Sequence, residues 1–116
     1  LDKYLHKDYE RLIDFYSKRG VSEEKAKDEI LDTLKVYRHK ASSTMDLFKG
    51  LSGRATDKGS HNKNYWKKRN RFSLEAFAHF FEATIRCDEE KISLLSATFP
   101  SAYKAFIEII EGDSYV

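Results

Sequence analysis

Apolar side chains recur three and four positions apart along most of this chain, which is the spacing of one face of a helix rather than the alternation of a strand. Leu5, Tyr9, Leu12, Ile13 and Tyr16 carry that pattern over residues 2–18, and the pair Arg19-Gly20 stops it. A second helix follows. Ser22 is placed to cap it, Glu23 and Glu24 suit its positive end, and Ala26, Ile30, Leu34 and Tyr37 mark an inward face as far as about residue 38. Ser43 with Asp46 three residues later has the form of a capping box. Met45, Leu47 and Phe48 then make a brief apolar turn closed by Gly50.

Between residues 51 and 71 the period disappears. Gly53, Gly59, Ser60, Asn62, Asn64 and Asn70 supply turn formers, so the expectation is one loop of about twenty residues, with room for a short β-hairpin. Helical spacing then returns. Ser73 is placed to cap a helix to about residue 86, Asp88 one to about residue 98, and Pro100 starts a last helix that Gly112 ends. The reading is a mainly α single domain over residues 1–116: a compact bundle of about five helices with one long basic and aromatic loop.

Composition narrows this further. At 41% hydrophobic and 14% aromatic residues, 116 residues suffice for one core and are too few for two. A net charge of +2 does not by itself call for a nucleic-acid partner. No apolar run approaches the roughly 20 residues that cross a bilayer, and the first residues lack a signal-peptide core, so no membrane partner is expected. The single cysteine, Cys87, reads as an ordinary buried thiol in a reducing compartment. A start at Leu1 without an initiator Met suggests a piece of something longer.

The helix after Ser73 carries the candidate chemistry. Leu74, Phe77, Ala78 and Phe81 read as its apolar side, whereas Glu75, His79 and Glu82 share another stripe at i, i+4 and i+7. A solvated polar face is the plain account. Against it, Phe77, Phe80 and Phe81 are expected to surround the Glu75 carboxylate, and a carboxylate among rings must be paired, protonated or metal-bound. Glu75 and His79 one turn apart, with His61 folded over them, would make a three-ligand metal site.

Three segments carry a resemblance: Phe72-Ser73-Leu74-Glu75-Ala76-Phe77-Ala78, the acidic helix from Asp88 to Leu95, and Phe99-Pro100-Ser101-Ala102-Tyr103-Lys104-Ala105-Phe106-Ile107. Together they resemble the C-terminal end of anthrax lethal-factor-like zinc metallopeptidase domains. They are closer still to the versions found in phage minor head proteins of the MuF type, where a His-x-x-x-Tyr-Trp loop, here His61 to Trp66, precedes Glu-Ala-Phe-Ala. The resemblance covers residues 45–110; residues 1–44 are only generically helical.

What the resemblance implies is a zinc shell completed by a glutamate from a late helix, a role that falls on Glu75, and a tyrosine that steadies the oxyanion, for which Tyr65 is the nearest candidate. The two histidines and catalytic glutamate of His-Glu-x-x-His are absent: His6, His39, His61 and His79 are dispersed. The implied function is therefore the downstream half of a phage or prophage zinc peptidase-like domain, cytoplasmic or virion-associated and inactive by itself. Zinc would belong to the intact parent, with none expected in this chain itself, and the partners would be the rest of that parent and a peptide substrate.

A different class of function is also open. Lys58, Lys63, Lys67, Lys68, Arg69 and Arg71 surround Tyr65 and Trp66 without an intervening acid, which suits phosphate contacts and base stacking on nucleic acid. The competing account of Trp66 is an anchor plugged into the core. A third reading is purely architectural: a virion-associated helical module.

Overall fold

The computed structural model describes residues 1–55 and 61–112. Among these the chain forms seven α-helices and no strand: α1 (Asp2–Ser17), α2 (Glu23–Lys35), α3 (Ser42–Ser52), α4 (Lys63–Trp66), α5 (Arg71–Ile85), α6 (Glu89–Thr98) and α7 (Pro100–Gly112). A 3₁₀ turn, Arg38–Ala41, joins α2 to α3. The helical bundle is as the periodicity predicts, with more pieces. The expected loop is interrupted by α4, and α3 runs on to Ser52 because Gly53, at φ 75°, takes the left-handed position that ends it. Any hairpin at residues 56–60, and Lys58 with it, lies outside the described residues.

Local signals account for most of the ends. Ser22 caps α2 by accepting from the Lys25 N–H at 3.3 Å, Asn62 caps α4 through the Tyr65 N–H at 3.0 Å, and Asp88 caps α6 through the Lys91 N–H at 3.2 Å. Two expected caps do not form. The Ser43–Asp46 box is replaced by a start at Ser42, with Ser43 buried and Asp46 turned elsewhere. Ser73 lies one turn inside α5, which begins after Asn70 in the left-handed region at φ 60°.

α7 is started from a distance. Its entry residue Phe99 has no polar side chain, and the carboxylate of Asp8 on α1 accepts instead from the N–H groups of Ser101 (3.2 Å) and Ala102 (2.9 Å). Asp8 is buried, so these two bonds and Arg11 at 3.9 Å are what compensate its charge. α1 thereby holds α7, against which it also packs.

The core is an aromatic and aliphatic cluster of Leu5, Ile30, Leu34, Leu47, Phe48, Phe80, Leu95, Phe99 and Phe106. Phe80 meets Tyr103 edge to face at 5.5 Å and Phe106 at 5.4 Å. The buried stripe of α5 is Ala76, Phe80 and Ala83. This corrects the sequence reading, which put Leu74, Phe77, Ala78 and Phe81 inward: Leu74, Ala78 and Phe81 are exposed, and only Phe77 is half-buried, against Phe106. The small side chains explain the inversion, since Ala76 and Ala83 let neighbouring helices approach while Phe80 fills the space between them. Tyr37 is likewise half exposed rather than inward.

Cys87 is exposed, not buried. It stands at φ 52° just past α5, where its N–H bonds the Thr84 carbonyl and the Asp88 N–H bonds the Ala83 carbonyl, the Schellman arrangement that ordinarily uses glycine.

Candidate metal centre

α3, α5 and the segment from His61 to Trp66 bring polar side chains together where α3 meets α5. Glu75 and His79 stand one turn apart on α5, flanking its buried stripe, and Asp46 comes from the middle of α3. His79 Nε2 is 3.1 Å from Asp46 Oδ2 and 3.8 Å from Glu75 Oε2. One ligand atom from each of these three residues lies within 4.8 Å of the other two. Their side chains are 14%, 18% and 23% exposed for Asp46, Glu75 and His79, enough shielding to strengthen charge interactions while leaving access.

The fourth group arrives on the loop. His61 Nδ1 is 3.5 Å from Asp46 Oδ1, is itself buried, and makes no hydrogen bond. Its ring stacks on Tyr65 with centroids 3.8 Å apart and planes 15° from parallel. Trp66 fixes the loop from below: the indole N–H donates to the His61 carbonyl at 3.2 Å, and the ring stacks on Phe72 at 4.7 Å. Gly50 of α3 makes room for that indole. A Cβ there would stand 2.6 Å from two of its ring carbons.

Tyr65 closes the arrangement. Its hydroxyl donates to Glu75 Oε1 and accepts from Arg71 Nη1 at 3.5 Å, while the Arg71 guanidinium lies 4.5 Å from the centre of its ring. Glu75 therefore faces inward with one oxygen on Tyr65 and the other toward His79.

Of the residues singled out from the sequence, Glu75 and His79 stand beside each other, Tyr65 bonds Glu75, and His61 reaches Asp46 and the Tyr65 ring rather than the Glu75–His79 pair. Asp46, which touches both histidines, went unrecognised because an acid three residues after a serine looks like a helix cap. Its signal was the matching position four residues before Gly50, on the side of α3 that Trp66 covers. Glu82, by contrast, points away and pairs with Arg86 at 3.9 Å. Phe81, expected as part of the aromatic wall around Glu75, is on the outer side of α5.

Asp46, Glu75 and His79 offer two carboxylates and one imidazole, ligand types that divalent transition ions take. Ligand atoms about 2.0–2.1 Å from zinc in a tetrahedron lie about 3.3 Å from one another, so these three donor atoms, within 4.8 Å of one another, would have to draw in around an ion, and His61 stands outside that group. Because a carboxylate can only accept, the 3.1 Å His79–Asp46 bond puts a proton on His79 Nε2, which an incoming metal would have to displace.

The same geometry alters the nucleic-acid alternative. Trp66 is 5% exposed and Tyr65 is covered by His61 and Arg71, so neither ring offers a free face to a base. What remains accessible of that set is the cations Lys63, Lys67, Lys68 and Arg69. No helix among the described residues is long and apolar enough to cross a membrane. Comparison of the chain with family models, with curated proteins and with solved structures gives no match in any of the three.

Proposed function

We propose that this domain binds a divalent transition metal, zinc by preference, through Asp46, Glu75 and His79 with His61 as the fourth donor. In this reading only Glu75 comes from the lethal-factor-like resemblance, while Asp46, His61 and His79 stand in place of the absent His-Glu-x-x-His. Glu75 is the late-helix glutamate of a zinc peptidase-type domain, in a phage or prophage minor-head setting. The observation that carries it is the approach of Asp46 on α3 to the Glu75–His79 pair on α5, donor atoms within 4.8 Å.

Bound zinc would supply Lewis acidity at this wall. The chain's own residues do the rest. Trp66 and Asn62 hold the His61 backbone, the Tyr65 ring sets the His61 plane, and the Tyr65 hydroxyl orients the Glu75 carboxylate. With no His-Glu-x-x-His among the 116 residues, peptide hydrolysis is not proposed for this chain alone.

The test is a zinc titration of the purified chain by calorimetry. One zinc per chain is expected at neutral pH. Asp46→Asn and His79→Gln should each weaken it at least about tenfold. A folded chain that takes up no zinc at neutral pH refutes the reading, and the converging groups are then a hydrogen-bonded brace between α3 and α5.

A further inference from the structure

The segment from Lys63 to Asn70 turns its aromatic residues inward and its cations outward. Trp66 is buried against Gly50 and Phe72, and Tyr65 lies between His61 and the Arg71 guanidinium. Lys63, Lys67, Lys68 and Arg69 are all exposed, as are Asn64 and Asn70. Backbone bonds keep them close together. Asn62 caps α4 through the Tyr65 N–H, the Lys68 N–H reaches the Tyr65 carbonyl at 3.3 Å, and the Arg71 N–H reaches the Lys68 carbonyl at 3.2 Å. The four cations thus stand on successive turns of a backbone that the buried indole already fixes.

These cations are also unneutralised. No acid occurs between residues 58 and 74, and Glu75, the next one, is turned inward onto Tyr65 and His79. Among the described residues none of the four makes an ion pair, whereas Lys18, Lys27, Lys35, Lys40, Arg54 and Arg86 each pair with a carboxylate. The whole chain carries only +2, so with five basic residues and no acid between 61 and 72 the remainder is net acidic. A polyanion is therefore drawn to this stretch and not to the rest of the molecule.

We propose that the exposed side of the Lys63–Asn70 segment binds the sugar–phosphate backbone of double-stranded nucleic acid without reading its sequence. Lys63, Lys67, Lys68 and Arg69 supply the charge, and the amides of Asn64 and Asn70 donate to phosphate oxygens. Two observations choose this partner. Neither Tyr65 nor Trp66 has a free face for a base, which removes the stacking that favours single strands and leaves charge density to decide; a duplex carries one charge per about 1.7 Å. Between residues 62 and 70 no apolar side chain is exposed, so the segment lacks the wedge with which amphipathic segments enter an anionic membrane. Arg71 is engaged over the Tyr65 ring and is not counted among the contacts. The inference uses none of the metal ligands and stands apart from the metal-site reading.

The experiment is fluorescence anisotropy of the full chain, in EDTA, with two labelled DNA duplexes of unrelated sequence and their single strands. Cosedimentation with phosphatidylcholine–phosphatidylserine vesicles is the comparison. Both duplexes should bind with dissociation constants of about 1–100 μM at low salt, within about twofold of each other. Four phosphate contacts give a slope of about −3.6 in log affinity against log salt, a loss of about a hundredfold between about 50 and 200 mM. Lys67→Gln and Lys68→Gln should each reduce that slope by about 1. Changing Lys63, Lys67, Lys68 and Arg69 together to Gln should abolish binding with circular dichroism unchanged, while Lys3→Gln with Lys7→Gln, exposed on α1, should bind as the wild type does. Absence of duplex binding at low salt, affinity that stays flat as salt rises, or binding that survives the combined change overturns the proposal. Tighter binding to the single strands or to the vesicles overturns it equally, and gives the patch to that other polyanion.

Discussion

The indole of Trp66 lies against the bare Cα of Gly50, and that contact is what seats the His61–Trp66 loop over α3. Gly50 sits inside a helix at an ordinary conformation, so its value is the space it leaves, not backbone freedom. Gly50→Ala should push the indole away. We expect a loss of about 1–3 kcal/mol in urea unfolding, as for an overpacked core, together with weakened zinc uptake as His61 shifts. An alanine variant with unchanged stability would mean the loop is not anchored there.

Asp8 should be among the most sensitive polar positions. Asp8→Ala removes a buried carboxylate that satisfies two N–H groups of α7, and a cost of about 1–3 kcal/mol is expected in thermal or urea unfolding. Amide exchange at Ser101 and Ala102 should accelerate more than in α2, which has its own cap. Equal acceleration in both helices would contradict the assignment of Asp8 as the cap of α7.

Acid should loosen the joint between the 3₁₀ turn and α6. The Lys91 N–H and then the Lys40 ammonium, 3.1 Å away, hold the Asp88 carboxyl below its ordinary value of 3.8. A depressed carboxylate stabilises the fold fully above that ordinary value, and the contribution disappears as pH falls through the lower folded value. Glu24, lowered by its hydrogen bonds to Arg54 and then Lys27, acts in the same direction at the junction of α2 and α3. Stability should thus be level near neutrality and fall below about pH 4, with a shallower fall in Asp88→Asn. A pH profile that is the same in that variant removes Asp88 from the account.

Cys87→Gly should stabilise the protein. The residue is exposed and contributes no core burial, while its φ of 52° strains any side chain with a Cβ. The gain expected is about 0.5–1 kcal/mol, with the glycine's larger unfolded-state entropy limiting it. Destabilisation on this change would show that the thiol makes a contact of its own.

Much of the fold was legible where a local rule acts alone. The apolar period of α1, the Ser22 cap and Pro100 at the head of α7 each depend on residues adjacent in sequence. Where a distant partner decides, the reading failed. Asp46 has the local signature of a cap and is claimed by two histidines from elsewhere. α5 has two apolar sides, and periodicity cannot say which one meets the core; packing selects the side with small residues, because only there can the neighbouring helices come close enough for Phe80 to fill the gap. Glu75 and His79 were legible as neighbours from their spacing, whereas the approach of Asp46, and with it the place of His61, required the tertiary contact between α3 and α5.

The pairing of Asp8 with the start of α7 also bears on how the domain is made. The two partners are 93 and 94 positions apart, so during synthesis the first helix emerges with a carboxylate whose mates have not yet been translated. Until residues 100–102 have been made, that group must stay hydrated and α1 cannot settle into its final burial. The seating of α1 is thereby tied to the arrival of α7, and a chain cut before residue 100 would keep a carboxylate that has no N–H groups to cap.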